Sequence, residues 1–219
     1  ESETIARIFE NTNSKQISNN QVNKNAVKQA LREGYNIFHF SGHGSYDNKR
    51  PQNSALYLYD DSTDEETNPD LTLPEIHNLN LSGYQLVSLS ACETAITGNE
   101  TVEAEYVGLV SAFLYQGVSH VVSSLWTVNE ISTSLLMIYF YRQIKEGKTP
   151  NIALATATKW LRNLTYRKLE RFYQISFYEL SENNSSRIVL EAYLESIKNN
   201  EDKLFNHPYY WAGFIITGV

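Results

Sequence analysis

A chain of 219 residues, 42% hydrophobic and 20% charged, has the length of one domain and enough apolar material for a core. Its formal charge of -7 is local: residues 60–70 hold six acids and no base, and the remainder is close to neutral. That balance leaves no basic face for nucleic acid, and a single cysteine excludes both an intramolecular disulfide framework and a CxxC metal site.

A lone thiol suggests a reducing compartment, the cytoplasm. No charged-then-apolar leader and no membrane-spanning run is visible. The most apolar stretch, Gly108 to Trp126, is broken by Gly117, Ser119 and His120, and reads as a helix followed by a strand. The chain begins at Glu1 and its only methionine is Met137. It is therefore expected to be excised from a longer polypeptide whose missing part carries regulation.

In chain order, Ile5, Ile8 and Phe9 give residues 2–10 a helical stripe. A brief strand is expected over 15–18. Residues 23–32 form a helix with Ala26, Val27, Ala30 and Leu31 on one side, ended by Gly34. Residues 36–40 then make a strand that stops at Ser41-Gly42-His43-Gly44, and residues 55–59 make another. The acidic run that follows reads as a solvated loop with a turn at Asn68-Pro69-Asp70. Its spacing fits no EF-hand. Thr72, Pro74 and Glu75 mark the start of a short helix ending near His77.

Residues 85–90 form a strand that stops at Ser90-Ala91-Cys92-Glu93. A turn at Gly98-Asn99, a helix over 102–116 ended by Gly117, a buried strand over 118–123 and a long helix over 129–146 follow. Another helix runs over 150–164. From 165 to 203 the texture becomes charged and tyrosine-rich, in two helical pieces split near Asn183-Asn184, as in an insertion. A rigid segment, His207-Pro208-Tyr209-Tyr210-Trp211, leads to a closing strand over 212–217. There is no internal repeat. Strands separated by helices predict an α/β fold around a largely parallel sheet with helices on both faces.

Parallel sheets carry their sites beyond the carboxyl ends of the strands. His43 follows one strand end and Cys92 another, so both fall on one rim. A free thiol has a pKa of about 8.5 and is mostly protonated at neutral pH. A neighbouring imidazole takes the proton, the thiolate attacks a carbonyl carbon, and the imidazolium returns the proton to the leaving amine. The developing oxyanion needs preorganised donors. The backbone N–H groups of Gly44 and Cys92 are the candidates. Ser41, Gly42, Gly44, Ser45, Ser90 and Ala91 are small enough to let a substrate backbone approach. Spacing alone leaves a buried structural cysteine as the competing reading.

FHFSGHG, LVSLSACETA, SHVVSSLW and HPYYWAGFIITG, in that order, resemble the CHAT domain, a caspase-like domain often found after tetratricopeptide repeats. The resemblance runs from about residue 2 to residue 219. It implies a caspase-like α/β/α sandwich, related to the separase and caspase clan of cysteine peptidases. It makes His43 the general base, Cys92 the nucleophile, and Gly44 and Cys92 the oxyanion donors. Ser90, two before the cysteine, would line the pocket for the residue preceding the cut. Being small and neutral, it supports neither a basic nor an acidic preference. Ser124, Leu125 and Trp126, leaving a strand at the same rim, would pair with substrate backbone. The short connection from Cys92 to the next helix lacks the cleaved linker of caspases. The 165–203 stretch has no caspase counterpart, although some CHAT domains carry helical insertions there.

The other polar residues have plainer readings. His39 is expected to be a buried, hydrogen-bonded supporting residue, and His77 and His120 surface or capping residues. His207 should pack against Tyr209 and Trp211. Gly42-x-Gly44 lacks the third glycine of a dinucleotide loop, since Asp47 stands there, and no GxSxG elbow exists. Glu93 is a candidate for orienting the base or contacting substrate, with a helix-start or structural role as its plainer reading, and Asp47 is a candidate for touching substrate.

The expectation is a cysteine endopeptidase without metal or cofactor, acting on a protein substrate. It would be gated by an N-terminal repeat region or an activating partner, with no nucleic-acid or membrane contact. The alternative is a caspase-like interaction module that does not cut.

Overall fold

A computed structural model describes residues 1–45, 47, 49–60, 68–91, 103–177, 184–198 and 202–219 of the chain. Helix α1 spans Ser2–Ile8 and α2 spans Lys24–Arg32. Strand β1 (Ile37–Gly42) is followed by three two-residue strands, β2 (Gly44–Ser45), β3 (Ala55–Leu56) and β4 (Leu71–Thr72), and by α3 (Leu73–Ile76). Then come β5 (Leu86–Ala91), α4 (Glu103–Tyr115), β6 (His120–Ser124), α5 (Glu130–Lys145) and α6 (Pro150–Arg162). Helices α7 (Tyr166–Ser176) and α8 (Ser185–Ser196) precede the last strand, β7 (Phe214–Gly218).

The chain forms two compact units. One comprises residues 11–127 and 214–219, the other residues 1–10 and 128–213. The first holds a four-stranded sheet in the order β1-β5-β6-β7. Strands β1, β5 and β6 are parallel, while β7 returns antiparallel to β6. Side chains alternate across a strand, and the core follows that alternation. Phe40 of β1, Val87 and Leu89 of β5 and Val121 of β6 share a cluster with Val27 and Leu31 of α2 and Leu109, Val110 and Phe113 of α4. The intervening residues Leu86, Ser88, Val122 and Ser124 are buried too. The middle strands thus hide both faces, as a parallel sheet requires.

A separate three-stranded sheet, β2-β3-β4, is antiparallel throughout. No periodicity can reveal strands of two residues. The same shortness trims the expected strand over 55–59 to Ala55–Leu56. Residues 15–18, expected as a brief strand, form neither strand nor helix.

Helix ends obey local chemistry. Asn23 caps α2 by accepting the Ala26 N–H at 2.9 Å. Thr72 and Glu75 form a capping box at α3, with the Thr72 N–H and hydroxyl both donating to Glu75 Oε2 at 3.0 Å. Glu75 also meets Lys24 at 3.1 Å and Lys28 at 3.4 Å, which ties α3 to α2. Gly117 stops α4 with a positive φ of 94°. Its N–H reaches Leu114 O at 3.0 Å and the Val118 N–H reaches Phe113 O at 3.3 Å, a Schellman closure.

In the second unit, α1 and α6 both pack on α5. Tyr139 of α5 stacks on Trp160 of α6 at 4.3 Å, and Phe172 of α7 closes on Trp160 at 4.8 Å. Helices α7 and α8 are joined by Tyr173, whose hydroxyl donates to Glu191, and Glu191 also pairs with Arg187. Among the described residues no helix is long and apolar enough to cross a membrane.

Two outcomes test this account. Burial pushes the Glu75 carboxyl up, but the Thr72 and Lys24 donors outweigh it and hold it below its usual range. Its contribution is therefore full above the ordinary carboxylate pKa and is lost as pH falls through the lower folded value. Glu75→Ala should cost about 1–2 kcal/mol in urea denaturation at neutral pH, with the difference from wild type shrinking in acid. A Cβ on Gly117 would lie 2.9 Å from Ser82 Cα on an already left-handed backbone. Gly117→Ala should therefore lower stability by about 1–3 kcal/mol, read as a fall in melting temperature.

Candidate functional site

The rim of the parallel sheet is set by β1 and β5. Their register runs from Ile37 opposite Leu86 to Gly42 opposite Ala91, with His39 level with Ser88 and Ser41 level with Ser90. Both strands therefore end at the same height, on the carboxyl side where crevices form. His39, Ser41, Ser88 and Ser90 lie on the face opposite the α2 and α4 cluster, by the strand period. Ser88 is fully buried and Ser90 half-buried, and Ser41 is exposed.

His43 is the first residue past β1 and is exposed. Its carbonyl accepts the Tyr57 N–H at 2.8 Å, which fastens the strand exit to the residue after β3. That bond flanks the Gly44–Leu56 pair. In an antiparallel ladder such a pair exchanges no hydrogen bonds of its own. The Gly44 N–H consequently points away from β3, toward the open edge of the small sheet. A Cβ on Gly44 would lie 3.1 Å from Ala55 O, so the close approach of β3 favours glycine here.

Beyond Ser45 the loop closes on one carboxylate. Asp47 Oδ1 accepts the Lys49 N–H at 3.0 Å and the Arg50 N–H at 2.9 Å, while Oδ2 accepts Asn53 Nδ2 at 3.1 Å. The Asp47 N–H donates to Ser54 Oγ at 3.0 Å. Ser54 is wholly buried, and its carbonyl accepts the Leu73 N–H at 2.8 Å. The Arg50 N–H, against a smaller penalty from burial and with help from Asn53, Lys49 and the Arg50 charge, holds the Asp47 carboxyl below its usual range. The sequence singles out Asp47 as a candidate for touching substrate. Both its oxygens are occupied by its own loop instead. The turn-rich run Asn48-Lys49-Arg50-Pro51-Gln52-Asn53 was the available signal.

Cys92 and Glu93 lie outside the described residues, as do residues 61–67 of the acidic run and the Gly98-Asn99 turn. Along the chain, Cys92 directly follows Ala91, the last residue of β5.

Ser124 is the last residue of β6, buried, and opposite Phe214 of β7. Strand β7 therefore occupies one edge of Ser124. On the other side the ladder with β5 ends at the Ser88–Val122 pair. Leu125 and Trp126 are half-buried residues past the ladder.

The remaining histidines are structural. Both ring nitrogens of His39 are shut off from solvent. His77 follows α3 and meets Tyr115 edge-on at 5.6 Å. His120 Nδ1 lies 3.3 Å from Gln85 O. His207 caps a 3-10 turn over Pro208–Tyr210 by accepting the Tyr209 N–H at 3.2 Å. This is a capping role, where the sequence suggested aromatic packing. Trp211 is held by Asn206 O at 3.4 Å and by the Arg162 guanidinium 5.3 Å from its ring.

A comparison with curated proteins returns no match. The family model described as the CHAT domain matches residues 1–219, the whole chain. The mixed α/β architecture with a mostly parallel sheet is of the caspase-like α/β/α class. The chain belongs to the CHAT-domain family, a caspase-like, peptidase-related family.

Proposed function

We propose that the chain is a cysteine endopeptidase acting on protein substrates through His43 and Cys92. The observation that carries the reading is the register of β1 and β5. Gly42 stands opposite Ala91, and the next residue of each strand in the chain is an imidazole in one case and the sole thiol in the other.

In this reading His43 takes the Cys92 proton, and the thiolate sulfur bonds to the scissile carbonyl carbon. The oxyanion is met by the N–H groups of Gly44 and Cys92. Support for Gly44 comes from the ladder, which leaves its N–H unused by β3 and free of side-chain obstruction. As the oxyanion collapses, the C–N bond breaks and His43 protonates the leaving amine. Water, deprotonated by the same imidazole, then cleaves the thioester and the thiol is restored.

Ser90 lines the pocket for the residue before the cut and selects by size and not by charge. Substrate backbone pairs with Leu125 and Trp126, because β7 already holds one edge of Ser124. An N-terminal region of a longer protein, or a partner, gates the activity, and the single thiol suits the reducing cytoplasm.

The stretch 165–203 is an insertion into one domain spanning 1–219. Its support is the stem. The Leu204 N–H donates to Leu164 O at 2.9 Å, Thr165 and Lys203 form a bridge, and Lys203 Nζ meets Asn163 Oδ1 at 2.9 Å. The chain therefore leaves and re-enters at one point.

An electrophilic peptide probe tests the dyad in the chain together with its N-terminal region or partner. Cys92 should be labelled, and His43→Ala should slow labelling about 100-fold or more, the usual worth of a general base. Labelling of Cys92 that ignores His43→Ala, or a thiol that stays inert in the activated protein, would leave a caspase-like interaction module. Gly44→Ala should cost about 1 kcal/mol of stability through crowding against Ala55 O, and lower the labelling rate about tenfold.

A further inference from the structure

We propose that Asp47 is the positioning residue of the candidate site, fixing the His43–Gly44 corner by closing the loop that joins β2 to β3. Its catalytic meaning rests on the peptidase reading above. The anchoring itself does not.

The argument starts from what else could hold that corner. Strands β2 and β3 share only two residue pairs, Gly44 with Leu56 and Ser45 with Ala55. Strand β3 is held on its other side by β4, so the weakly held strand is β2. Beside it, Pro51, Gln52 and Asn53 of the connection to β3 are all exposed and give it no apolar anchor. One carboxylate gathers it instead. Asp47 takes two backbone N–H groups on one oxygen and the Asn53 amide on the other, with Arg50 Nε 3.5 Å away. Charge-assisted bonds of this kind are stronger than neutral ones. The Asp47 N–H then reaches the buried Ser54 hydroxyl.

Through Ser54 the loop is tied to solid structure. The Ser54 carbonyl receives the Leu73 N–H at the start of α3, where the Thr72–Glu75 box and its lysine partners on α2 sit. On the other side the hairpin ends in the bond from the Tyr57 N–H to His43 O. Asp47 thus ties the connection after β2 to Ser54 and, through its carbonyl, to the start of α3. Its effect on an imidazole and an oxyanion donor would be geometric.

The Tyr57 amide is the readout, because it bonds to His43 directly. Asp47→Ala removes every acceptor, while Asp47→Asn keeps one oxygen for the Lys49 and Arg50 amides. Amide exchange at Tyr57 should quicken about tenfold in Asp47→Ala and about threefold in Asp47→Asn, with the β5 amide of Val87 unchanged. Labelling of Cys92 by the peptide probe should fall in the same order. Wild-type exchange at Tyr57 in both variants would overturn the proposal. So would equal loss of protection at Val87, since Asp47 would then support the whole fold and not the corner. If Asp47→Ala does not fold, Asp47→Asn decides alone: local quickening at Tyr57 supports the anchor and wild-type exchange removes it. Absent labelling in the activated wild type, with its N-terminal region or partner present and Tyr57 responding as described, would remove the peptidase reading and leave the anchor standing.

Discussion

The structure depends on the parallel pairing of β1 with β5. Six consecutive residues of each strand are in register, from Ile37 and Leu86 to Gly42 and Ala91. Each backbone pair in such a ladder is modest in net worth. What makes the register firm is that the two buried faces differ: a slip by one residue would turn Phe40 and Leu89 away from the cluster under α2 and α4 and put His39 and Ser88 in their place. The apolar cluster under α2 and α4 thus decides, several residues away, that Gly42 and Ala91 end their strands side by side.

The two faces of those strands divide the labour. The face toward α2 and α4 carries Phe40, Val87, Leu89 and Val121. The opposite face, near the rim, carries serines and a histidine: His39, Ser41, Ser88 and Ser90. Serine there gains little from burial and contributes no bulk. Ser41 and Ser90 add little bulk at the strand ends, whereas Ser88 and the His39 ring lie beneath them out of solvent.

Much of this was legible in the sequence because it is local or periodic. The Thr72–Glu75 box and the glycine after α4 are short-range chemistry, and each stands where its residues indicate. The β1 and β5 runs declare themselves by β-branched and aromatic content with abrupt small-residue ends. The small β2-β3-β4 sheet was not legible, since strands of two residues have no period and pair across the acidic run. The role of Asp47 was hidden for a related reason. A carboxylate that bonds its own loop has the same sequence signature as one that meets a substrate, and only the positions of the Lys49, Arg50 and Asn53 donors separate them.

The His43 corner shows how a caspase-like rim can be rigid on one side by chemistry unrelated to its sheet. β1 ends at Gly42, and from there the chain depends on a second sheet, a capping box and one carboxylate. The order of support runs from Lys24 and Lys28 through Glu75 and Thr72 to Leu73, then through Ser54 to Asp47. Every link is polar and short-range, and most are partly exposed. Such links are individually weak in water, so the corner is stiff only while the chain of contacts is complete. By contrast, the register that aligns β1 with β5 is protected by buried apolar area. Alignment of the two strand ends is therefore the durable property of this fold, and the setting of the imidazole loop is the tunable one. A change in the contacts of Asp47 and Ser54 would therefore reach the His43–Gly44 corner without disturbing the core that brings the strands level.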